Sequence, residues 1–384
     1  MEQIYFDNSA TSPVDPEVVK VITKCYQEDF GNPSSLHKMG LKAERLVEQS
    51  RKLVARQINC NPQEIVFTSG GTESNNIAIK GAAFAKAKRG KHIITTKVEH
   101  SSVLAPIEQL VEQGYSVTYV SVDQNGLVNL DELKNAIRPD TTLISVMFVN
   151  NELGTIQPIA EIGEIVANSE NKPLLHVDAV QAMGKMRINL GELPVDLLSF
   201  SGHKFHGPKG IGGLYVRKGL KIQSQIVGGG QEGDYRAGTE NVPGIVGMAK
   251  ALEISAGNLD KAEEVGKLRQ RMIDIIDGEL TDITINSNSQ NSIPFILNIS
   301  FPGVKGEVLL HYLEGEGIYV STGSACSSRS RSVSHVLSAI GLNDEEMEGA
   351  IRFSFSHYNT LEQAEKAARV VVKGVNELRM LMRR

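Results

Sequence analysis

Apolar positions along the chain switch repeatedly between short, nearly continuous runs and stretches that repeat every three to four residues, the signature of strands alternating with helices. The runs EIVFT (64–68), HIITT (92–96), YSVTYV (115–120), LISVMFV (143–149), LLHVD (174–178), DLLSF (196–200) and GGLYV (212–216) predict strands. Helical spacing fills 72–87, 101–113 and 158–168 between them. Strands that read as unbroken apolar runs are covered on both faces, so the pattern predicts a parallel sheet flanked by helices. In such a sheet the functional site lies at the carboxyl ends of the strands.

The pattern breaks at SAGNLD (255–260), between a helical run over 243–254 and a charged helix over 261–277. Beyond it come ILNISF (296–301), a helix over 305–313, IYVST (318–322), IRFSF (351–355) and a long final helix from Leu361. This alternation predicts a smaller α+β domain. The expected division is a large domain over 16–256 and a small one made of 1–15 and 257–384. Three hundred and eighty-four residues give ample chain to bury such cores.

Charge narrows the possibilities. Forty Lys and Arg against 45 Asp and Glu leave a formal charge of -5, which argues against a dedicated nucleic-acid binder. The basic ending RMLMRR reads as a solvated helix end. The three cysteines, Cys25, Cys60 and Cys326, are too far apart for a CxxC pair or a zinc spacing, so neither a disulfide framework nor a resident metal is expected. The opening MEQIYFDNSATS has no leader character, and no run of about 18 apolar residues occurs, so the expectation is a soluble protein of the reducing cytoplasm with no membrane partner.

Several segments carry candidate chemistry. TSGGTESNN (68–76) follows a predicted strand and opens a helix, placing Gly71 and Thr72 where free N–H groups suit a phosphate; an ordinary helix start fits the string equally. Asp178 ends the strand LLHVD, with Gln181 just beyond. It is either a salt-bridge or cap residue, or a carboxylate that holds a proton on a heteroaromatic nitrogen, as used with pyridoxal phosphate (PLP). Lys204 sits in the Gly- and His-rich loop of SFSGHKFHGPKGIGGLYV (199–216), where desolvation and neighbouring cations favour a Schiff-base amine over a plain surface lysine. His203 and His206 alone make a poor metal pair. His100, after HIITT, is placed to stack on a flat cofactor or move a proton. Cys326 lies among small polar residues with Arg329 and Arg331 nearby, a setting that favours thiolate, whereas Cys25 and Cys60 read as structural thiols. Arg352, on a predicted strand, fits either a clamp on a substrate carboxylate or a structural ion pair.

Together these strings resemble the PLP-dependent cysteine desulfurases of the iron-sulfur-cluster type, within the class V aminotransferases. DNSATS (7–12), GNPSSLH (31–37), GGTESNN (70–76), EHSS (99–102), NNELGTIQP (150–158), HVDAVQ (176–181), SGHKFHGPKG (201–210), GTENVPG (238–244), STGSAC (321–326) and IRFSF (351–355) carry the likeness in family order. The resemblance implies a fold type I enzyme, with a mostly parallel sheet in the large domain, working as a homodimer. It implies that Lys204 carries PLP, Asp178 pairs with the ring nitrogen, Gln181 meets the ring oxygen and His100 stacks on the ring. Gly71, Thr72, Ser201, Gly202 and His203 would hold the phosphate, and Thr239 would reach the partner subunit's cofactor. Asn151 and Arg352 would orient the substrate, L-cysteine, and Cys326 would accept its sulfur. The acceptor beyond would be an iron-sulfur scaffold protein or a tRNA-thiolation sulfurtransferase, with a transient iron-sulfur contact through Cys326 as the one metal encounter. The chain departs from common family strings after Cys326, which reads SSRSRSVSH, and at His206, where an aromatic residue is usual. Selenocysteine lyase and plain aminotransferase are the neighbouring activities; the latter has no need of the thiol.

Overall fold

A computed structural model describes residues 3–287, 290–322 and 334–382. The chain opens with β1 (Ile4–Tyr5), α1 (Pro16–Glu28) and α2 (Lys38–Gln57). Next come β2 (Ile65–Thr68), α3 (Gly71–Lys86), β3 (His92–Thr96), α4 (Ser101–Glu112), β4 (Ser116–Val120), α5 (Leu130–Ala136), β5 (Thr141–Met147), α6 (Ile159–Asn168), β6 (Leu174–Asp178), β7 (Leu197–Ser201) and β8 (Gly212–Val216). Helix α7 (Val242–Ala256) and helix α8 (Ala262–Glu279) flank the break at SAGNLD. The remainder is β9 (Thr284–Ile285), β10 (Ile296–Ser300), α9 (Gly306–Gly315), β11 (Ile318–Tyr319), β12 (Ser321–Thr322), α10 (His335–Ala339), α11 (Asp344–Glu348), β13 (Ala350–Ser354) and α12 (Leu361–Met382).

Strands β2 to β8 form one sheet in the order β2-β8-β7-β6-β5-β3-β4. Their apolar runs alternate between two cores. Val66, Ile93, Leu143, Leu174, Leu197 and Leu214 pack under α3 and α4, while Ile65, Phe67, Ile94, Ile144, Leu175 and Leu198 face the other helical layer. Only the edge strand β4 is partly open to solvent.

The sheet is mostly parallel, as expected, with one strand reversed. Strand β8 runs antiparallel to both β7 and β2, whereas the other pairs are parallel. The reason is length: the link from Ser201 to Gly212 is too short for the helical crossover that a parallel return requires. A second, antiparallel sheet has the order β12-β13-β10-β9. The segment IYVST, expected as a single strand, divides at Val320: β11 pairs with β1, and β12 pairs with β13.

Candidate active site

Because β8 alone is reversed, the carboxyl ends of β2, β3, β5, β6 and β7 share one edge of the sheet. A cavity of about 300 Å3 opens there. Gly71, Thr72, His100, Asn151, Asp178, Gln181, Ser201, His203, Lys204 and Arg352, all singled out in the sequence, line it.

Asp178 is the last residue of the buried strand β6 and is itself buried. Its Oδ2 accepts from Asn75 Nδ2 at 2.8 Å, and its Oδ1 accepts from the Val180 backbone N–H at 3.0 Å. Asn75, on the first turns of α3, also donates from Nδ2 to Ser102 Oγ at 2.8 Å. Ser102 Oγ in turn lies 2.8 Å from His100 Nδ1. His100 caps α4, its Nδ1 accepting the Ser102 N–H at 3.1 Å. A nitrogen that accepts a backbone N–H carries no proton, so the neutral ring holds its proton at Nε2. Burial lowers the His100 pKa, opposed by Asp178 and reinforced by Lys204, which keeps the ring neutral.

Lys204 ends the short helical turn Gly202–Lys204 after β7. Its Nζ donates to the Ser9 carbonyl at 2.6 Å and to the Ala10 carbonyl at 2.9 Å. The N-terminal segment is tied to the same turn, since the Ser12 N–H donates to the His203 carbonyl at 2.9 Å. His203 is held near a pKa of about 4 by burial and by the Lys204, Lys209 and Lys185 charges.

Arg352, on β13, is buried and occupied on two sides: Nη2 meets Asp7 Oδ1 at 3.0 Å and Nη1 donates to the Asn151 carbonyl at 3.0 Å. Among the described residues its Nε is buried without a hydrogen-bond partner, as is Asn75 Oδ1. The two sequence readings of Arg352 are therefore compatible. The ion pair to Asp7 holds the guanidinium in place at the cavity wall.

Two candidates lie elsewhere. Thr239 is exposed and does not line the cavity of its own chain. Gly202 is packed behind the wall, where a Cβ would meet Met248 Cγ at 3.1 Å and the Pro208 carbonyl oxygen at 3.2 Å. Cys326 falls outside the described residues. On one side of residues 323–333, Ser321 pairs across the sheet with Arg352. On the other, Ser334 Oγ donates to Glu152 Oε2 at 2.6 Å and His335 Nε2 donates to the Glu99 carbonyl at 2.9 Å. Cys25 and Cys60 are free thiols; burial raises the pKa of both, that of Cys60 to about 12. His206 turns away from chemistry as well, pairing edge-on with His357 and Tyr358 and bonding the Pro13 carbonyl through Nδ1 at 2.9 Å.

The family model described as aminotransferase class-V matches residues 4–366. A curated relative, cysteine desulfurase IscS of Dictyoglomus turgidum, is 47% identical over 380 residues, covering 99% of this chain and 96% of its own. The chain belongs to the cysteine desulfurases of class V. A solved NifS-like protein superposes with a TM-score of 0.92 at 43% identity, covering 97% of this chain and 99% of the other. A second solved relative, SspA in complex with cysteine, gives 0.83 at 37% identity over 93% of this chain and all of its own. The fold is thus that of the NifS-like enzymes, and the cofactor of these desulfurases is PLP.

The cavity fits that cofactor. Helix α3 starts at its wall with no side-chain cap on Gly70, leaving the first N–H groups for an anion. Gly71 keeps this end open, since a Cβ there would meet Val180 Cγ2 at 2.6 Å. A lysine amine and a strand-end carboxylate face the same space. Sequence reasoning about single residues missed Asn75, Ser102, Ser9 and Ala10. All four lie inside strings that carry the family likeness, yet nothing in their residue types marks a contact with Asp178, His100 or Lys204.

Proposed function

We propose that this protein converts L-cysteine to L-alanine and passes the sulfur on as a persulfide of Cys326. The observation that carries the reading is the convergence of Lys204, Asp178, His100 and Arg352 on one cavity. Gly71, Thr72, Ser201 and His203 would hold the PLP phosphate, with Gly202 shaping the turn behind them. When bound, PLP supplies an electron sink for the carbanion at the substrate's α-carbon. Lys204 would anchor the cofactor and, with its amine free, would take the substrate's α-proton. Asp178 would keep a proton on the ring nitrogen, and Gln181 would donate to the ring oxygen. Arg352 and Asn151 bind the substrate carboxylate. Neutral His100 would stack on the ring and move the proton of the substrate thiol through Nε2. The Cys326 thiolate attacks the substrate sulfur: the Sγ–S bond forms, the substrate Cβ–S bond breaks with its electron pair going to Cβ, and Cβ takes a proton to give alanine. No external oxidant or reductant enters.

The same proposal includes a homodimer, supported by large apolar side chains left on the surface (Tyr26, Phe30, Leu36, Met39, Leu41 and Val227); exposed Thr239 would reach the partner's cofactor. It includes the division into 16–256 and 1–15 with 257–384, for which the pairing of β1 with β11 speaks. It also includes a cytoplasmic setting and an acceptor that is an iron-sulfur scaffold protein or a tRNA-thiolation sulfurtransferase; among the described residues no helix is long and apolar enough to cross a membrane.

Incubation of the PLP-loaded protein with L-cysteine and a thiol reductant should yield sulfide and alanine in equal amounts. Cys326→Ala should lose this turnover while keeping bound PLP. Transamination of cysteine to 3-mercaptopyruvate without sulfide or alanine, or full turnover in Cys326→Ala, overturns the reading.

A further inference from the structure

Lys185 is buried, and among the described residues it has no carboxylate partner. Its Nζ donates to Gln181 Oε1 at 2.6 Å. The turn that brings it there depends on Gly184, whose φ of 75° lies in the left-handed region and where a Cβ would meet the Cβ of Phe205 at 2.5 Å. Phe205 directly follows Lys204, so the Lys185 turn and the Lys204 turn are packed against each other.

Gln181 presents either an oxygen or an NH2 group, and rotation of the amide exchanges them. Here both ends are fixed. Oε1 is taken by Lys185, and Nε2 donates to the Ser9 carbonyl at 2.9 Å, the same carbonyl that accepts from Lys204. The second Nε2 hydrogen has no acceptor among the described residues, and Gln181 lines the cavity.

We propose that Lys185 is a positioning residue that locks the Gln181 amide with its NH2 group toward the cofactor's ring oxygen. The proposal rests on the placement of PLP given above. With the lock in place the ring oxygen always meets a donor. Without it the amide also samples the orientation that sets two oxygens against each other. A donor stabilises the anionic ring oxygen, and therefore holds down the pH midpoint of the cofactor's visible absorption band in the holoenzyme.

The test is that midpoint, read by absorbance on holoenzyme without substrate. Lys185→Met should raise it, by up to about one pH unit for one uncharged hydrogen bond. Gln181→Leu should raise it too, and adding Lys185→Met to Gln181→Leu should raise it no further. This cycle separates positioning from direct charge, because burial and the Lys204 and Arg352 charges lower the Lys185 pKa to about 7, and its charge acting directly on the cofactor would persist without Gln181. Lys185→Gln keeps the site polar if the Met variant fails to fold. A carboxamide at 185 either donates or accepts, so it too should raise the midpoint, by less. An unmoved midpoint in a folded Lys185 variant, or a full shift in the Gln181→Leu background, overturns the proposal. A wild-type protein that takes up no PLP would instead overturn the placement of the cofactor.

Discussion

His176 illustrates what a single titratable side chain does in this sheet. It is fully buried on β6, with Nδ1 2.8 Å from Ser145 Oγ and Nε2 3.0 Å from Ser199 Oγ, and burial pushes its pKa down to about 3. An unfolded chain binds a proton at this residue below about pH 6.5, and the native chain does not until about pH 3. The stabilisation is present above the unfolded value and is lost as pH falls toward the native one. Between pH 7 and 5 the loss is roughly 2 kcal/mol from this group. His176→Asn, which keeps polar contact with the serines but does not titrate, should show a smaller drop in thermal midpoint over that range; equal drops would remove His176 as a source of acid sensitivity. Glu99 has the opposite sense. Burial lifts its pKa to about 8, so its contribution is lost as pH rises through that value.

At the scale of elements, the start of α3 sets how a phosphate is held. The helix packs across the middle of the sheet, and its N-terminus meets the edge where β6 and β7 end. A methyl group at position 71 would collide with Val180 and push the helix end away from the wall. Gly71→Ala should therefore weaken PLP binding by about tenfold or more, the equivalent of losing one charge-assisted hydrogen bond, with little change in helix content. PLP titration followed by absorbance checks this, and unchanged affinity would show that the helix start does not hold the phosphate. Elsewhere an element is shaped by neighbours: Arg51 makes a two-pronged ion pair to buried Glu232, which also accepts the Phe67 N–H at 2.8 Å. That pairing ties the loop before Thr239 to β2.

For the whole molecule, the surface around α1 and α2 matters most. Tyr26 and Phe30 are each 67% exposed and Leu36 is fully so at 105%, an apolar display that a lone soluble chain has no reason to keep. In the proposed dimer a second copy would cover that surface, and Thr239 of one subunit would reach the other's cavity. Wild-type protein should sediment as a dimer. Leu36→Asp should shift it toward monomer and lower PLP occupancy at the same time, since the site would lose a contribution from the partner. A wild-type monomer with full PLP occupancy would contradict the shared site.

Much of this was legible in the chain. The strands HIITT, LLHVD and GGLYV lie where their apolar runs end, because each is buried on both faces and burial imposes the composition. Lys204, Asp178 and His100 could be singled out because polar groups at the ends of buried strands need a reason to be there. The sequence by itself thus determined the layered α/β architecture, the edge that carries the chemistry and the residue types present on it. The direction of β8 is not in the apolar pattern of the strand but in the shortness of the link before it, and the structure shows the reversal. Only the tertiary structure decided that Asn75 joins Asp178 to Ser102, that Arg352 is shared between Asp7 and the cavity, and that Lys185 lies behind Gln181. Apart from the Lys185–Gln181 contact, four positions apart, these join residues that are distant in the chain. Their strength comes from distance and burial, which no local run of residues encodes.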